Sequence, residues 1–238
     1  MTTLRVGIVY PDPPFNGMGE DRGGLDIDLI TAIAEKLDTA VDLIFYTGVD
    51  FNGVFDELAA GAYDCMIAGT TVTPERQRKA DFAPAYLVSG QSLAVDTARL
   101  PHVHSTDDLV GLTIGVQAGN TSQPVAEQLV ADGKAARVRV YDYGGIRSAL
   151  TDLTSGGCDA FMKLAPVLTE LVRPIPDVEV VQREITTEEI AIAVPLGDEA
   201  GLRRIADAQA ALESDGTLQA LRRRWLGNPY RDQSLTTH

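Results

Sequence analysis

The chain has 238 residues, 45% of them hydrophobic and 23% charged, with a formal net charge of −14. That length and balance exclude a marginal mini-domain and a globally disordered chain, and suit one large domain or two small ones. The acidic charge disfavours nucleic acid and anionic membrane surfaces as partners, yet says nothing against a small anionic ligand held in a local basic pocket.

The chain opens on "LRVGIVY", a β-rich run. No basic, apolar leader precedes it, and no apolar run approaches the roughly 18 residues of a membrane span. It therefore reads either as a cytosolic protein or as a mature domain without its leader. "LDIDLITAIAEKL" follows, with Ile27, Ile30, Ile33, Ala34 and Leu37 at helical spacing and Asp26 or Asp28 as candidate caps. "AVDLIFY" is a second strand, "FNGVFDELAAG" a helix stopping at Gly61, and "YDCMIAG" a third strand. The order βαβαβ implies a mostly parallel sheet with helices on its faces.

"GTTVTPERQRKADFAPAY" comes next, with Arg76, Arg78 and Lys79 close together in an acidic chain. Pro74 suits a first helical turn, which makes Thr73 a candidate N-cap and places Arg76 at the positive end of a helix dipole. Something must favour a cation there. A bound carboxylate would, because guanidinium is a planar fork matching two oxygens. A solvated side chain, or one paired to Glu75 or Asp81, is the alternative. Arg78 and Lys79 read as solvent-facing.

"SGQSLAV", Ser89 to Val95, reads as an extended connector, followed by the loop "TARLPHVHSTDDL". A second series then begins: strand "LTIGV", helix "TSQPVAEQLVADG", strand "ARVRVYDY", helix "GIRSALTDLTSGG", strand "CDAFM", helix "APVLTELV" and strand "VEVVQ". "EEIAIAVP", Glu188 to Pro195, is a second connector, and two helices close the chain. "ELAAGAYDCMIAG" echoes "DLTSGGCDAFMKL", which points to two similar lobes rather than one continuous sheet. The short crossovers near 90 and 190 return the terminal helices to the first lobe. Lobe 1 is then 1–90 plus 190–238 and lobe 2 is 91–189, with hinge strands near 89–95 and 187–194. A cleft between such lobes is the default ligand site.

The turn "GVQAGNTSQPV" offers the backbone N–H groups of Asn120, Thr121 and Ser122 as an anion nest, or is an ordinary capped βα turn. Cys65 and Cys158 read as buried thiols, a disulfide resting on the even count alone. His102 and His104 in "PHVH" lack companions for a metal site, and the arginines of "LRRRW" suit the negative pole of the last helix. No phosphate loop and no nucleophile elbow are present. No cofactor and no metal is expected.

"GLDIDLITAIAEKL", "GTTVTPERQRKADFAPAYLVSG", "GVQAGNTS" and "GGCDAFMKLAP" together resemble the polar amino-acid-binding family of solute receptors serving ABC importers, over Leu4 to Gly227. The ligand-binding domains of glutamate receptors and a few dehydratases share that plan. The resemblance implies an α/β periplasmic binding protein of type II: two lobes with mixed, mostly parallel sheets and a two-strand hinge. It also implies an extracytoplasmic, monomeric receptor that closes on a carboxylate-bearing solute and passes it to ABC transporter membrane subunits.

By the same resemblance, Arg76 pairs with the ligand's α-carboxylate, Gly69 offers a carbonyl, and Thr71 an N–H and a hydroxyl. Thr121 donates a backbone N–H from the other lobe. Gln117 occupies a side-chain-specific position. Phe51 is one aromatic wall or a core residue, with Tyr10 and Phe15 near the other wall. One departure stands out. Where the family places an Asp for the ligand ammonium, this chain has Lys163 and then Leu164. An ammonium buried against leucine is costly. Either Asp12, Asp142, Glu188 or Glu189 takes that role, or the ligand lacks an α-ammonium, or Lys163 meets a second anionic group. The other readings are a dehydratase-like enzyme, with Glu188, Glu189 or Lys163 as general acid, and a sensing module of a larger receptor.

Overall fold

The computed structural model describes residues 3–17 and 23–235. In chain order the elements are β1 (Thr3–Val9), α1 (Leu25–Lys36), β2 (Ala40–Tyr46), α2 (Gly53–Ala59), β3 (Cys65–Met66), β4 (Ala80–Phe82), β5 (Leu87–Ser89) and β6 (Gln91–Asp96). There follow β7 (Thr113–Gln117), α3 (Ser122–Ala131), β8 (Arg137–Tyr141), α4 (Ile146–Ser155), β9 (Ala160–Leu164), α5 (Ala165–Val172) and β10 (Val178–Gln182). The chain finishes with β11 (Glu188–Ile190), β12 (Ala193–Pro195), α6 (Glu199–Ser214) and α7 (Thr217–Trp225).

The described residues form two five-stranded sheets, ordered β2-β1-β3-β12-β4 and β10-β6-β9-β7-β8, and a small ribbon of β5 and β11. Contacts divide the chain into two units. The first comprises Met1–Thr47, Gly53–Val88 and Glu188–His238, and the second comprises Gly48–Asn52 and Ser89–Thr187. One continuous sheet is thereby excluded, and the fold is the two-sheet α/β plan of type II binding proteins.

In the first unit, β1 pairs in parallel with β2 and β3, while β12 runs antiparallel between β3 and β4. The helix α1 buries Leu25, Leu29, Ile30, Ile33 and Ala34, the i, i+4 stripe that an amphipathic helix turns to a sheet. Ile27, one of the residues expected on that stripe, is only half-buried. The last helix, α7, ends in three arginines at its negative pole, where a solvated side chain would suffice. Arg222 departs from this. It is fully buried, forked onto Glu213 at 3.0 and 2.7 Å, and donates to the carbonyls of Tyr86 and Gln233.

In the second unit, β9, β7 and β8 are parallel, and β6 and β10 add antiparallel strands. Leu93, Val95, Ile114, Val116, Ala160 and Met162 form its core with Val103, Leu109 and Ala126. The segment read as a connector, Ser89 to Val95, is largely β6, whose six residues are all buried between β10 and β9. Its hydroxyl and amide side chains interrupt the apolar run. They are accommodated by bonds such as Ser92 Oγ to the Lys163 carbonyl, at 2.8 Å. The second extended segment, Glu188 to Pro195, is likewise built of strands, β11 and β12.

Both cysteines are free and buried, Cys65 in the first unit and Cys158 in the second. Among the described residues no helix is long and apolar enough to cross a membrane, and no group of three or more His, Cys, Asp or Glu side chains is arranged to hold a metal.

Candidate functional site

On the first unit the candidate residues gather around Thr71. Its neighbours make ladder bonds to the incoming β11 segment: Val72 N to Glu189 O at 2.8 Å and Ala191 N to Thr70 O at 3.0 Å. Thr71 itself faces Ile190 in an antiparallel bridge. In such a pair the flanking residues carry the hydrogen bonds, so the N–H and C=O of Thr71 point away from the ladder. That outward carbonyl accepts Nη1 of Arg76 at 2.9 Å. The guanidinium lies 5.5 Å from the centroid of the Phe55 ring, a cation–π stack that fixes the plane of the fork.

Arg76 does not begin an α-helix, as Pro74 suggested. It starts a single 3₁₀ turn, Arg76–Arg78, which Glu75 precedes without a side-chain capping bond. The Thr73 hydroxyl still accepts the Arg76 N–H, at 3.2 Å. The tight turn folds the arginine back over its own segment and buries it, while Arg78 and Lys79 are exposed. Lys79 is paired with Asp56 at the surface.

Gly69 ends the same strand–turn segment with φ +55°, and a Cβ on it would lie 2.8 Å from the Phe15 ring. Glycine is needed on both counts. Its N–H donates to Oδ2 of Asp26 at 2.7 Å. Asp26 was read as a helix cap, but the N-cap of α1 is Gly24 and Asp26 points inward with no exposure. Burial pushes its carboxyl up to about 7, against the lowering effect of the Tyr86 and Gly69 hydrogen bonds, and nearby Asp12 adds to the rise. Phe15 is a core residue under Gly69. Tyr10 packs edge-on to Phe45.

On the second unit the parallel strands β7 and β9 end side by side, the position where ligands bind in α/β sheets. Their register pairs Ile114 with Ala160 and Gly115 with Phe161, and Gln117 and Lys163 each lie two residues further along β7 and β9. The side-chain amide of Gln117 donates to the Tyr143 carbonyl. Its Oε1 is buried and meets no protein donor, and so is Oγ of Ser122 at the start of α3. Buried acceptors of this kind call for a ligand or ordered water. Lys163 is also buried, with Nζ 5.5 Å from the Tyr143 ring centroid. Leu164 beside it is buried too.

Phe51 was placed in the first lobe, but it belongs to the second unit. Its N–H donates to Ala118 O at 3.1 Å, Val49 O accepts from Tyr143 N at 2.7 Å, and its ring stacks on Tyr143 at 5.6 Å. Gly119 makes this stitch possible: its φ is +75°, and a Cβ there would lie 2.2 Å from Asp50 Oδ1. Sequence reading passed over Gly119 and Tyr143; the glycine inside "QAGNT" was the available signal. Thr121 caps α3, and its hydroxyl accepts from Gln91 Nε2 at 3.0 Å. The expected nest is smaller than read, because the Asn120 N–H is bound to the Gln117 carbonyl at 3.2 Å.

Of the four acids considered as ammonium acceptors, Asp142 and Glu189 are exposed, while Asp12 and Glu188 are buried. Glu188 accepts the Thr71 hydroxyl at 2.6 Å.

The family model described as bacterial extracellular solute-binding proteins, family 3, matches residues 4–228. The L-cystine-binding protein TcyJ of Escherichia coli (strain K12) is 29% identical over 228 residues, covering 94% of this chain and 83% of that one. A solved ancestral arginine-binding protein bound to arginine superposes with a TM-score of 0.86 at 33% identity, over 95% of this chain and 99% of that one. An ancestral amino acid-binding protein, a precursor of cyclohexadienyl dehydratase, superposes with a TM-score of 0.84 at 29% identity, over 94% of this chain and 96% of that one.

Proposed function

Since the chain belongs to the bacterial extracellular solute-binding proteins of family 3, we propose that it is the receptor of an ABC importer, acting outside the cytoplasm as a monomer and delivering an amino-acid-like, carboxylate-bearing solute to the transporter's membrane subunits. The observation that carries the reading is the buried Arg76 guanidinium, held flat by Phe55 and Thr71. A carboxylate is the partner a fixed planar fork recognises best.

Gly69 and the outward N–H of Thr71 add backbone contacts to the same group. Gln117, Thr121, Phe51 and Tyr143 contribute on the second unit, and Tyr10 borders the first. Lys163 is buried beside Tyr143 on the second unit.

Native mass spectrometry of the purified protein, followed by a thermal-shift screen of amino acids, dicarboxylates and compatible solutes, tests this reading. A ligand that binds only the folded state raises the melting temperature by linkage. An Arg76-dependent shift with an amino acid is expected; no shift with any carboxylate would sink the reading. Conversion of a bound prephenate-like acid, seen as a product mass, would instead favour an enzyme.

A further inference from the structure

We propose, resting on the receptor reading above, that Gln233 is a positioning residue for solute capture: its side-chain amide serves as a strand partner for Val88 and stiffens the point where the chain leaves the first unit. Apart from the short segment Gly48–Asn52, the chain passes from the first unit to the second between Val88 and Ser89 and returns between Thr187 and Glu188. Both crossings lie at the ribbon of β5 and β11. Two strands of three residues make a marginal ribbon on their own. A further partner meets it at Val88. The Val88 N–H donates to Oε1 of Gln233 at 2.8 Å, and the Val88 carbonyl accepts Nε2 of the same side chain. One amide thus takes both backbone groups of one residue, as a facing residue does in an antiparallel hydrogen-bonded pair. The pairing also fixes which way the amide points, since a flipped amide would set donor against donor.

Gln233 is itself held. Its N–H donates to the Tyr230 carbonyl at 3.3 Å, and its carbonyl accepts Nη1 of the buried Arg222 at 3.0 Å. The same guanidinium reaches the Tyr86 carbonyl at 2.9 Å, two residues before Val88. Nearby in the tail, Gln219 Nε2 donates to the Arg231 carbonyl at 2.7 Å. The clamp is therefore anchored on α7, and it comes from outside the residues 4–228 that match the family model. Its consequence is for binding. A solute held by both units needs the crossing strands in one conformation, and each torsion fixed at that moment costs entropy. A crossing ordered beforehand removes part of that cost, which is how preorganisation raises affinity.

The test uses the whole chain and two variants. Gln233→Met keeps the size of the side chain but not its amide. Gln233→Glu keeps an acceptor for the Val88 N–H but turns a carboxylate oxygen toward the Val88 carbonyl, and it covers the case of a Gln233→Met chain that fails to fold. Amide exchange followed by NMR, without added solute, should show the Val88 N–H exchanging about 10-fold faster in Gln233→Met, while Val6 in β1 keeps its rate. Calorimetry then takes as its probe whichever of L-cystine and the proteinogenic L-amino acids gives the largest thermal shift. Gln233→Met should weaken its binding about 5-fold, the scale of ordering one residue, and Gln233→Glu should weaken it too. Arg223→Ala, which removes the exposed pair with Asp232 beside Gln233, should change neither exchange at Val88 nor affinity. A role confined to stability would lower the unfolding midpoint and leave affinity untouched. Unchanged affinity in the variants that fold, or unchanged exchange at Val88, would therefore overturn the proposal with the receptor reading intact. A wild type that binds no compound of the panel would overturn the receptor reading, and the positioning role with it.

Discussion

The phenol of Tyr86 donates to Oδ1 of Asp26 at 2.6 Å, inside the first unit, where neither side chain reaches solvent. The other Asp26 oxygen holds the Gly69 N–H, so a buried carboxylate anchors the turn that leads to Arg76. Burial holds its carboxyl up at about 7, well above the ordinary value near 4.

Because that value is raised in the folded state, the folded chain binds the proton more tightly than the unfolded one. Stability linked to Asp26 is therefore fully present below about pH 4 and is lost as pH rises to about 7. Asp26→Asn should remove this decline. Denaturant unfolding between pH 4 and 8 should show wild type losing, relative to Asp26→Asn, a few kcal/mol across that window and nothing further above it. A constant difference between the two chains would exclude the assignment.

Arg76→Ala should weaken binding of the thermal-shift ligand by about 100-fold or more, since on the proposed reading it deletes a bidentate charge-assisted contact. Arg76→Lys keeps the charge but not the fork or the stack on Phe55, and should recover only a small part. Equal affinities of wild type and Arg76→Ala in calorimetry would remove the anchor.

Arg222→Ala should destabilise the fold by about 3–5 kcal/mol, because it strands Glu213 and the Tyr86 carbonyl under α7. The loss should appear in the midpoint of denaturant unfolding. The exposed Arg223, paired with exposed Asp232, should cost under about 1 kcal/mol when replaced by Ala.

The two thiols should be unreactive in the native protein. Burial pushes both Cys65 and Cys158 above the ordinary thiol value, and only the thiolate attacks. Aromatic disulfide reagents should therefore report both thiols in denaturant and neither without it, with no reductant required. Fast labelling of the native chain would contradict this.

Much of the fold was legible because its signals are local. Helical spacing located α1, α3, α4 and α5, and glycines marked the ends of α2 and α4. Segments whose partners are distant in sequence were harder. β6 read as an extended connector, and its place inside a sheet was not visible, because a strand holding Gln91 and Ser92 is stabilised by β9 and β10, which lie some seventy to ninety residues on.

The sequence by itself determined the family plan and singled out Arg76, because both rest on residue order and on the conformational limits of glycine, proline and short turns. Only the tertiary structure decided which charged side chains turn inward. Asp26 holds Gly69 instead of capping its helix, Arg222 at the negative pole of α7 turns inward to bind Glu213, and Glu188 came to rest on Thr71 117 positions away in the chain. Spacing cannot foresee these choices. A buried charge is tolerated only where partners from other elements converge on it, and that convergence is set by packing.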